Sequence, residues 1–171
     1  PCTPHMLINL EGIDGCGKST QSQFLMDKFE SNNEKIILLK EPTNGKYGQK
    51  LWEMLSGKIE ATTEEILELF VLDRKEHVNE KIKPALDEGK IVLMDRYYYS
   101  TMAYQAAAGI DVNRIRKDNQ FAPKPDIVLI FDLPADLAMK RVRSHSVADV
   151  FEKEEHLEKV RKAYLNLEDD S

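Results

Sequence analysis

The chain has 171 residues, with 24 Lys and Arg against 30 Asp and Glu, a net charge of −6. With 42% hydrophobic and 32% charged residues it has the makeup of a domain that buries its own core, which excludes a disordered or fibrous chain. No apolar run approaches the roughly 20 residues that span a bilayer, and the acidic balance argues against bulk nucleic-acid binding through a basic surface.

Two cysteines, Cys2 and Cys16, are too few for a disulfide framework or a Cys-rich zinc site, so a reducing, cytoplasmic setting is expected. Residues 1–5 end in a His5-Met6 junction of the kind a cloning site leaves, and are read as a cloning remnant. From Met6 the chain alternates short β-rich runs with helical stretches. Residues 6–11 predict a strand that ends in a glycine-rich turn. A helix follows from Lys18 to about Phe29, with Phe24, Leu25 and Phe29 on its apolar side. Residues 36–39 predict a second strand, stopped at Glu41-Pro42 because proline cannot donate to a ladder. Residues 48–56 predict a short helix.

A long helical stretch covers 63–88. Thr62 or Thr63 caps it, Glu64 and Glu65 sit in its first turn, Pro84 bends or splits it, and Gly89 closes it. Strands at 91–94 and 127–131 are continuously apolar, as parallel strands covered on both faces are. Helices are expected at 97–108, 112–120, 134–143 and 151–167, the last burying Leu157, Val160, Tyr164 and Leu167. Regular alternation of strand and helix predicts one α/β domain, a parallel sheet with helices on both faces. Ligands in such a sheet sit at the carboxyl ends of the strands, here just after residues 10, 40, 94 and 131.

Four segments carry chemistry, the first two directly at those ends. Gly12-Ile13-Asp14-Gly15-Cys16-Gly17-Lys18-Ser19 is a complete G-x4-G-K-[ST] between a strand and a helix, the mark of a P-loop NTPase fold. Its glycines let backbone amides converge on phosphate, Lys18 adds a cation, and the Ser19 hydroxyl is a ligand for Mg²⁺. No guanine-reading Asn-Lys-x-Asp segment is present, and motor or transporter ATPases are longer, so the chain suits a small kinase. Asp95-Arg96 at the third strand end pairs a metal-side carboxylate with a fork for an acceptor phosphate, although a structural Asp–Arg pair would look the same. Ser100, Tyr104 and Gln105 present polar tips along the next helix, and Phe70 and Arg74 share a face of the long one. On their own, the tyrosines read as core, and Phe70 with Arg74 as a buried ring beside a solvated cation.

Together these residues are more specific. Leu10-Glu11-Gly12 through Thr20, Glu41-Pro42-Thr43, Phe70-x3-Arg74, Asp95-Arg96-Tyr97-x2-Ser100-x2-Ala103-Tyr104-Gln105 and Pro123-Lys124-Pro125-Asp126 resemble the thymidylate kinases in order and spacing. The resemblance covers nearly the whole chain after Met6. It implies phosphorylation of dTMP to dTDP with ATP as donor and Mg²⁺ as cofactor, in a homodimer packed through helices. It puts ATP on Gly12, Ile13, Asp14, Gly15, Cys16, Gly17, Lys18, Ser19 and Thr20, with the metal at Ser19 and Asp95. For dTMP it implies Asp14 on the 3′-hydroxyl, Phe70 stacked on thymine and Arg74 on its O4. Arg96 would hold the acceptor phosphate, Tyr104 would press on the sugar, and Ser100 and Gln105 would line the base pocket. The alternatives are another small P-loop nucleotide or deoxynucleoside kinase, or a nucleotide-binding module without turnover.

One division of that family carries an arginine inside the phosphate loop, where this chain has Gly15 and Cys16. The resemblance therefore points to the division that supplies cations from a closing lid, here around 141–152. Lys140, Arg141 and Arg143 lie at its start, though a basic helix end would look alike. Arg143 is the first candidate for the catalytic arginine and Arg141 the second, beside Lys18, Asp95 and Arg96. Val150 stands where many relatives carry an arginine, and Glu152 is assigned to metal or lid positioning. The resemblance also implies a final strand and helix that the sequence does not include before Ser171.

Overall fold

The computed structural model describes residues 5–142 and 147–167, and for 147–152 the backbone alone. Strands β1 (Met6–Glu11), β2 (Ile36–Lys40), β3 (Ile91–Asp95) and β4 (Ile127–Ile130) form one parallel sheet in the order β2-β3-β1-β4. Residues alternate in direction along each strand. Leu7, Val92 and Met94 join a core with Leu67, Val78, Ile82, Met102 and Ile115 on one face. Ile8, Leu10, Ile91 and Leu93 pack on the other against Leu25, Met26 and Phe29. Helices cover both faces, the three-layer α/β/α arrangement of a P-loop NTPase.

Helix α1 (Lys18–Ser31) starts at the loop glycines, and α2 (Lys46–Leu55) follows β2. Phe24, expected on the apolar side of α1, is 61% exposed, because Leu25 and Phe29 already fill the face that meets the sheet. Helix α3 (Thr63–His77) opens on a capping box: Thr62 accepts from the Glu65 amide while the Glu65 carboxylate takes the Thr62 amide. The bend expected near Pro84 is a π turn, Val78–Ile82, before α4 (Lys83–Asp87). Proline lacks the N–H that would serve the Glu80 carbonyl and its ring crowds that carbonyl, so a wider turn relieves both. Helices α5 (Tyr98–Ala107), α6 (Val112–Asp118), α7 (Ala135–Arg141) and α8 (Val147–Leu165) complete the fold.

In α8, Leu157, Val160 and Tyr164 are buried and Leu167, just beyond it, is partly so, as their spacing predicts. Strand β3, at the centre, is buried throughout. Strand β4 corrects the expectation of two covered faces: Ile127, Leu129 and Ile130 are 42%, 38% and 38% exposed. It lies at the sheet edge, paired with β1 alone among the described residues.

Candidate active site

All four strand ends meet one rim of the sheet. The β1 end carries the phosphate loop, with Gly15 at φ +82° and so close to α7 that an added Cβ would sit 2.5 Å from the Ala138 carbonyl oxygen. Lys18 is buried, its Nζ donating to the carbonyls of Gly12 (2.9 Å) and Ile13 (3.0 Å). Burial, reinforced by the Arg96 charge, pulls its pKa below the ordinary lysine value. The amine therefore rests on weak neutral acceptors, from which a phosphate oxygen would draw it.

Across the rim, the Ser19 hydroxyl lies 3.4 Å from Asp95 Oδ2. Asp95 Oδ1 is buried with no hydrogen-bond partner among the described residues. An orphaned carboxylate oxygen beside a hydroxyl suits a hard cation or its water. No three clustered His, Cys, Asp or Glu side chains are found among the described residues. Such an ion would draw its other ligands from phosphate and water, as Mg²⁺ does. The loop, Lys40, Asp95, Arg96 and Arg141 enclose a bowl of about 330 Å³.

Arg96 is the hub of the acceptor side. Its backbone is left-handed, φ +70°, anchored by its amide on the Leu10 carbonyl at 3.0 Å. Nη2 meets Asp14 Oδ1 at 2.6 Å, Nη1 donates to Ser100 Oγ at 3.0 Å, and the guanidinium lies 5.2 Å from the Tyr104 ring centre. Behind it sits Glu11, fully buried, accepting from the Asn9 side chain, the Tyr97 amide and the Ser100 and Tyr164 hydroxyls. Burial raises its pKa, against the lowering effect of the Ser100 hydrogen bond and the Arg96 charge. Helix α8 delivers Tyr164, and Arg161 one turn earlier forks onto Asp132 after β4, at 2.5 and 3.1 Å.

On α3, Arg74 is sealed in. Nη2 is 2.7 Å from Glu41 Oε2 and 3.0 Å from Thr101 Oγ1, while Nη1 meets Asn119 Oδ1 at 2.5 Å. Phe70, one turn earlier, stays partly exposed. Gln105, one turn after Thr101 on α5, is buried with Oε1 lacking a partner among the described residues. The β2 end is tied down by Asp73, which accepts from the Thr43 amide and hydroxyl at 2.9 and 2.5 Å.

Comparison with known proteins decides what this rim belongs to. The sequence model of the family described as thymidylate kinase matches residues 10–171. A thymidylate kinase of Desulfotalea psychrophila is 46% identical over 96% of this chain and 82% of its own length. A probable thymidylate kinase of Thermococcus kodakarensis is 43% identical over 95% and 83%, and a thymidylate kinase of Xanthomonas oryzae 42% over 95% and 72%. The chain belongs to the thymidylate kinase family.

Of the residues the sequence singles out, the fold gathers Asp14, Arg96, Ser100 and Tyr104 in one cluster and Lys18, Ser19 and Asp95 in another beside it. Arg141 reaches the loop, its Nη1 3.4 Å from the Gly15 carbonyl. Arg143 and the side chains of Val150 and Glu152 lie outside the described residues. Sequence reasoning gave no site role to Glu11, Asp73, His77 or Asn119 and placed Tyr164 in the core; in the structure they bond to Ser100, Thr43, Glu41, Arg74 and Arg96 respectively. Asp73 and His77 flank Arg74 within one turn of α3, and that spacing was the available signal.

Proposed function

We infer that this chain transfers the γ-phosphoryl group of ATP directly to the 5′-phosphate of dTMP, giving dTDP and ADP. The observation that carries this reading is the contact between Arg96 and Asp14, which joins an acceptor-side cation to the donor loop across the bowl. In this reading Lys18, freed from its loop carbonyls, and the loop from Gly12 to Thr20 hold the donor phosphates. Arg96 holds the acceptor phosphate. Asp14 gives up part of its ion pair to take the sugar hydroxyl. Phe70 stacks on thymine, and Arg74 retains an Nη1 proton for the base edge beside its bonds to Glu41, Thr101 and Asn119. Gln105 and Ser100 line the same slot, with Tyr104 against the sugar.

Magnesium belongs to the reading through Ser19 and Asp95, whose orphaned oxygen supports it, and when bound it offsets charge on the donor phosphates. Arg141 and Arg143 open a lid, around 141–152, that adds cations as charge spreads over the transferred oxygens. A cytoplasmic homodimer fits the family. Exposed Trp52 and Leu55 on α2 and Leu72 on α3 are surface for a partner copy, and no described helix is long and apolar enough to cross a membrane.

The test is coupled ADP release across a panel of nucleoside monophosphates with MgATP. Turnover with dTMP well above that with dCMP, dGMP and dAMP is expected. ATP binding without dTMP-dependent ADP release would favour a non-catalytic module.

A further inference from the structure

We propose that Asn119 is a positioning residue that sets which pyrimidine the site accepts, by fixing the direction of the last N–H that Arg74 has free for the base. This rests on the reading of the chain as a dTMP kinase. A guanidinium carries five N–H groups. In Arg74, Nε and one N–H of Nη2 both go to a single oxygen, Glu41 Oε2, at 2.8 and 2.7 Å. The second Nη2 N–H goes to Thr101 Oγ1 at 3.0 Å, and one from Nη1 goes to Asn119 Oδ1 at 2.5 Å. A single Nη1 proton remains. The Tyr97 ring, its centre 5.4 Å from Arg74 Cζ, backs one face of the group and limits tilt out of plane. Rotation within the plane is another matter, because one carboxylate oxygen is a pivot and Nη1 is the nitrogen farthest from it. The Asn119 contact, at that far corner, stops the swing.

Asn119 can do this because its own amide is fixed. It is buried directly after α6, and its Nδ2 donates to the Ile115 carbonyl at 2.7 Å. A backbone carbonyl only accepts and a guanidinium only donates, so the side chain has one orientation, Nδ2 toward Ile115 and Oδ1 toward Arg74. Ile115 belongs to the core around β3, which gives the acceptor a rigid base. Asn119 is also uncharged. Glu41 already offsets the guanidinium charge, and a second carboxylate would make the group net negative toward a base carbonyl. With the remaining N–H held in place, a base with a carbonyl at position 4 accepts from it. A base with an amino group there sets donor against donor in a buried slot. Thymine is thus admitted and cytosine refused by a residue that need not touch either.

The experiment measures kcat and KM by coupled ADP release for dTMP and for 5-methyl-dCMP, its 4-amino counterpart, in the wild type, Asn119→Ala and Asn119→Asp. The wild type should prefer dTMP. In Asn119→Ala the KM for dTMP should rise about tenfold, the size of effect seen when a hydrogen bond to a charged group is lost. The preference over 5-methyl-dCMP should shrink at least as much. The kcat for dTMP and the KM for ATP should stay within about twofold, since a base contact is made equally before and during transfer. Asn119→Ser, too short to reach Nη1, reads the same loss if the alanine variant does not fold. Asn119→Asp keeps an acceptor for Nη1 but turns an oxygen on the Ile115 carbonyl, so it should melt lower than wild type yet keep most of the preference. A preference that survives in Asn119→Ala overturns the proposal, as does one that falls as far in Asn119→Asp as in Asn119→Ala. Equal wild-type turnover of dTMP and 5-methyl-dCMP also overturns it and leaves the kinase reading standing. A wild type without dTMP-dependent ADP release overturns the kinase reading, and the role of Asn119 with it.

Discussion

The Glu41 carboxylate stands between two cation-forming side chains of a single helix, Oε2 2.7 Å from Arg74 Nη2 and Oε1 3.1 Å from His77 Nδ1. Arg74 is 1% exposed, so its charge depends on this partner. Removing one member of a buried pair costs about 3–5 kcal/mol, because the other is left uncompensated. Glu41→Ala should lower unfolding free energy by about that amount in urea titration. Glu41→Gln keeps an acceptor for Arg74 and should fold, yet aim the guanidinium less firmly. Its KM for dTMP should rise several-fold more than its KM for ATP. Equal effects on both substrates would remove Glu41 from base recognition.

Glu11 lends the site its own pH signature. Burial raises its folded pKa above the ordinary 4.5, so between that value and the raised one the folded protein holds more protons than the unfolded chain. Stability therefore falls as pH rises through this window, opposite to the trend of a salt-bridged acid. Glu11→Gln removes the titration and keeps the shape, since the Ser100 and Tyr164 hydroxyls can turn to accept from the amide. Thermal melts across pH 4–7 should show the decline in wild type and a flatter profile in Glu11→Gln. Parallel profiles in the two proteins would exclude Glu11 as the cause.

The order of elements and the phosphate loop were legible because they rest on local chemistry: apolar runs, glycine spacing, and a helix start at Lys18. The supporting network was not, because its members meet across long stretches of chain. Glu11 and Tyr164 are 153 positions apart, and Arg74 and Asn119 are 45 apart. Nothing near Glu11 distinguishes a strand-end carboxylate that will be buried from one that will be solvated. Strand β4 misled for a related reason. An apolar run reports that a strand can be covered, whereas its place in the sheet is set by which strands pair. Arg74 read as a solvated cation until Glu41, Thr101 and Asn119 were brought around it by three other segments.

In the proposed reading Asp95 and Ser19 tie Mg²⁺ to the rim, and that tie can be tested separately from nucleotide binding. Asp95→Asn keeps one carbonyl oxygen but loses the charge. The Mg²⁺ concentration giving half-maximal rate should rise by about 10–100-fold, the usual loss when a carboxylate around a metal is replaced. Binding of metal-free ATP should stay near the wild-type value, since Lys18 and the loop remain. A rate that saturates at the same Mg²⁺ concentration as wild type would place the metal elsewhere.

Gly48 sets how closely α2 can approach the segment after Pro42, and here two effects oppose each other. By helix propensity alone, Gly48→Ala in the body of α2 would stabilise by about 1 kcal/mol. An added Cβ, however, would overlap the Thr43 carbonyl oxygen and lie 2.7 Å from its carbon, and backbone cannot swing aside as a side-chain tip can. Overpacking of this kind costs about 1–3 kcal/mol, so the clash should win. Thr43 is held by Asp73, the neighbour of Arg74, so relief of the clash should shift the wall of the base slot. Gly48→Ala should therefore melt lower and raise KM for dTMP, with KM for ATP close to wild type. Gly57→Ala serves as the comparison: its Cβ would meet nothing within 4 Å, and only its φ of +74° resists substitution. That costs about 1–2 kcal/mol of stability and should leave both KM values alone. If Gly48→Ala instead melts above wild type with unaltered dTMP kinetics, the close contact between α2 and Thr43 does not shape the slot.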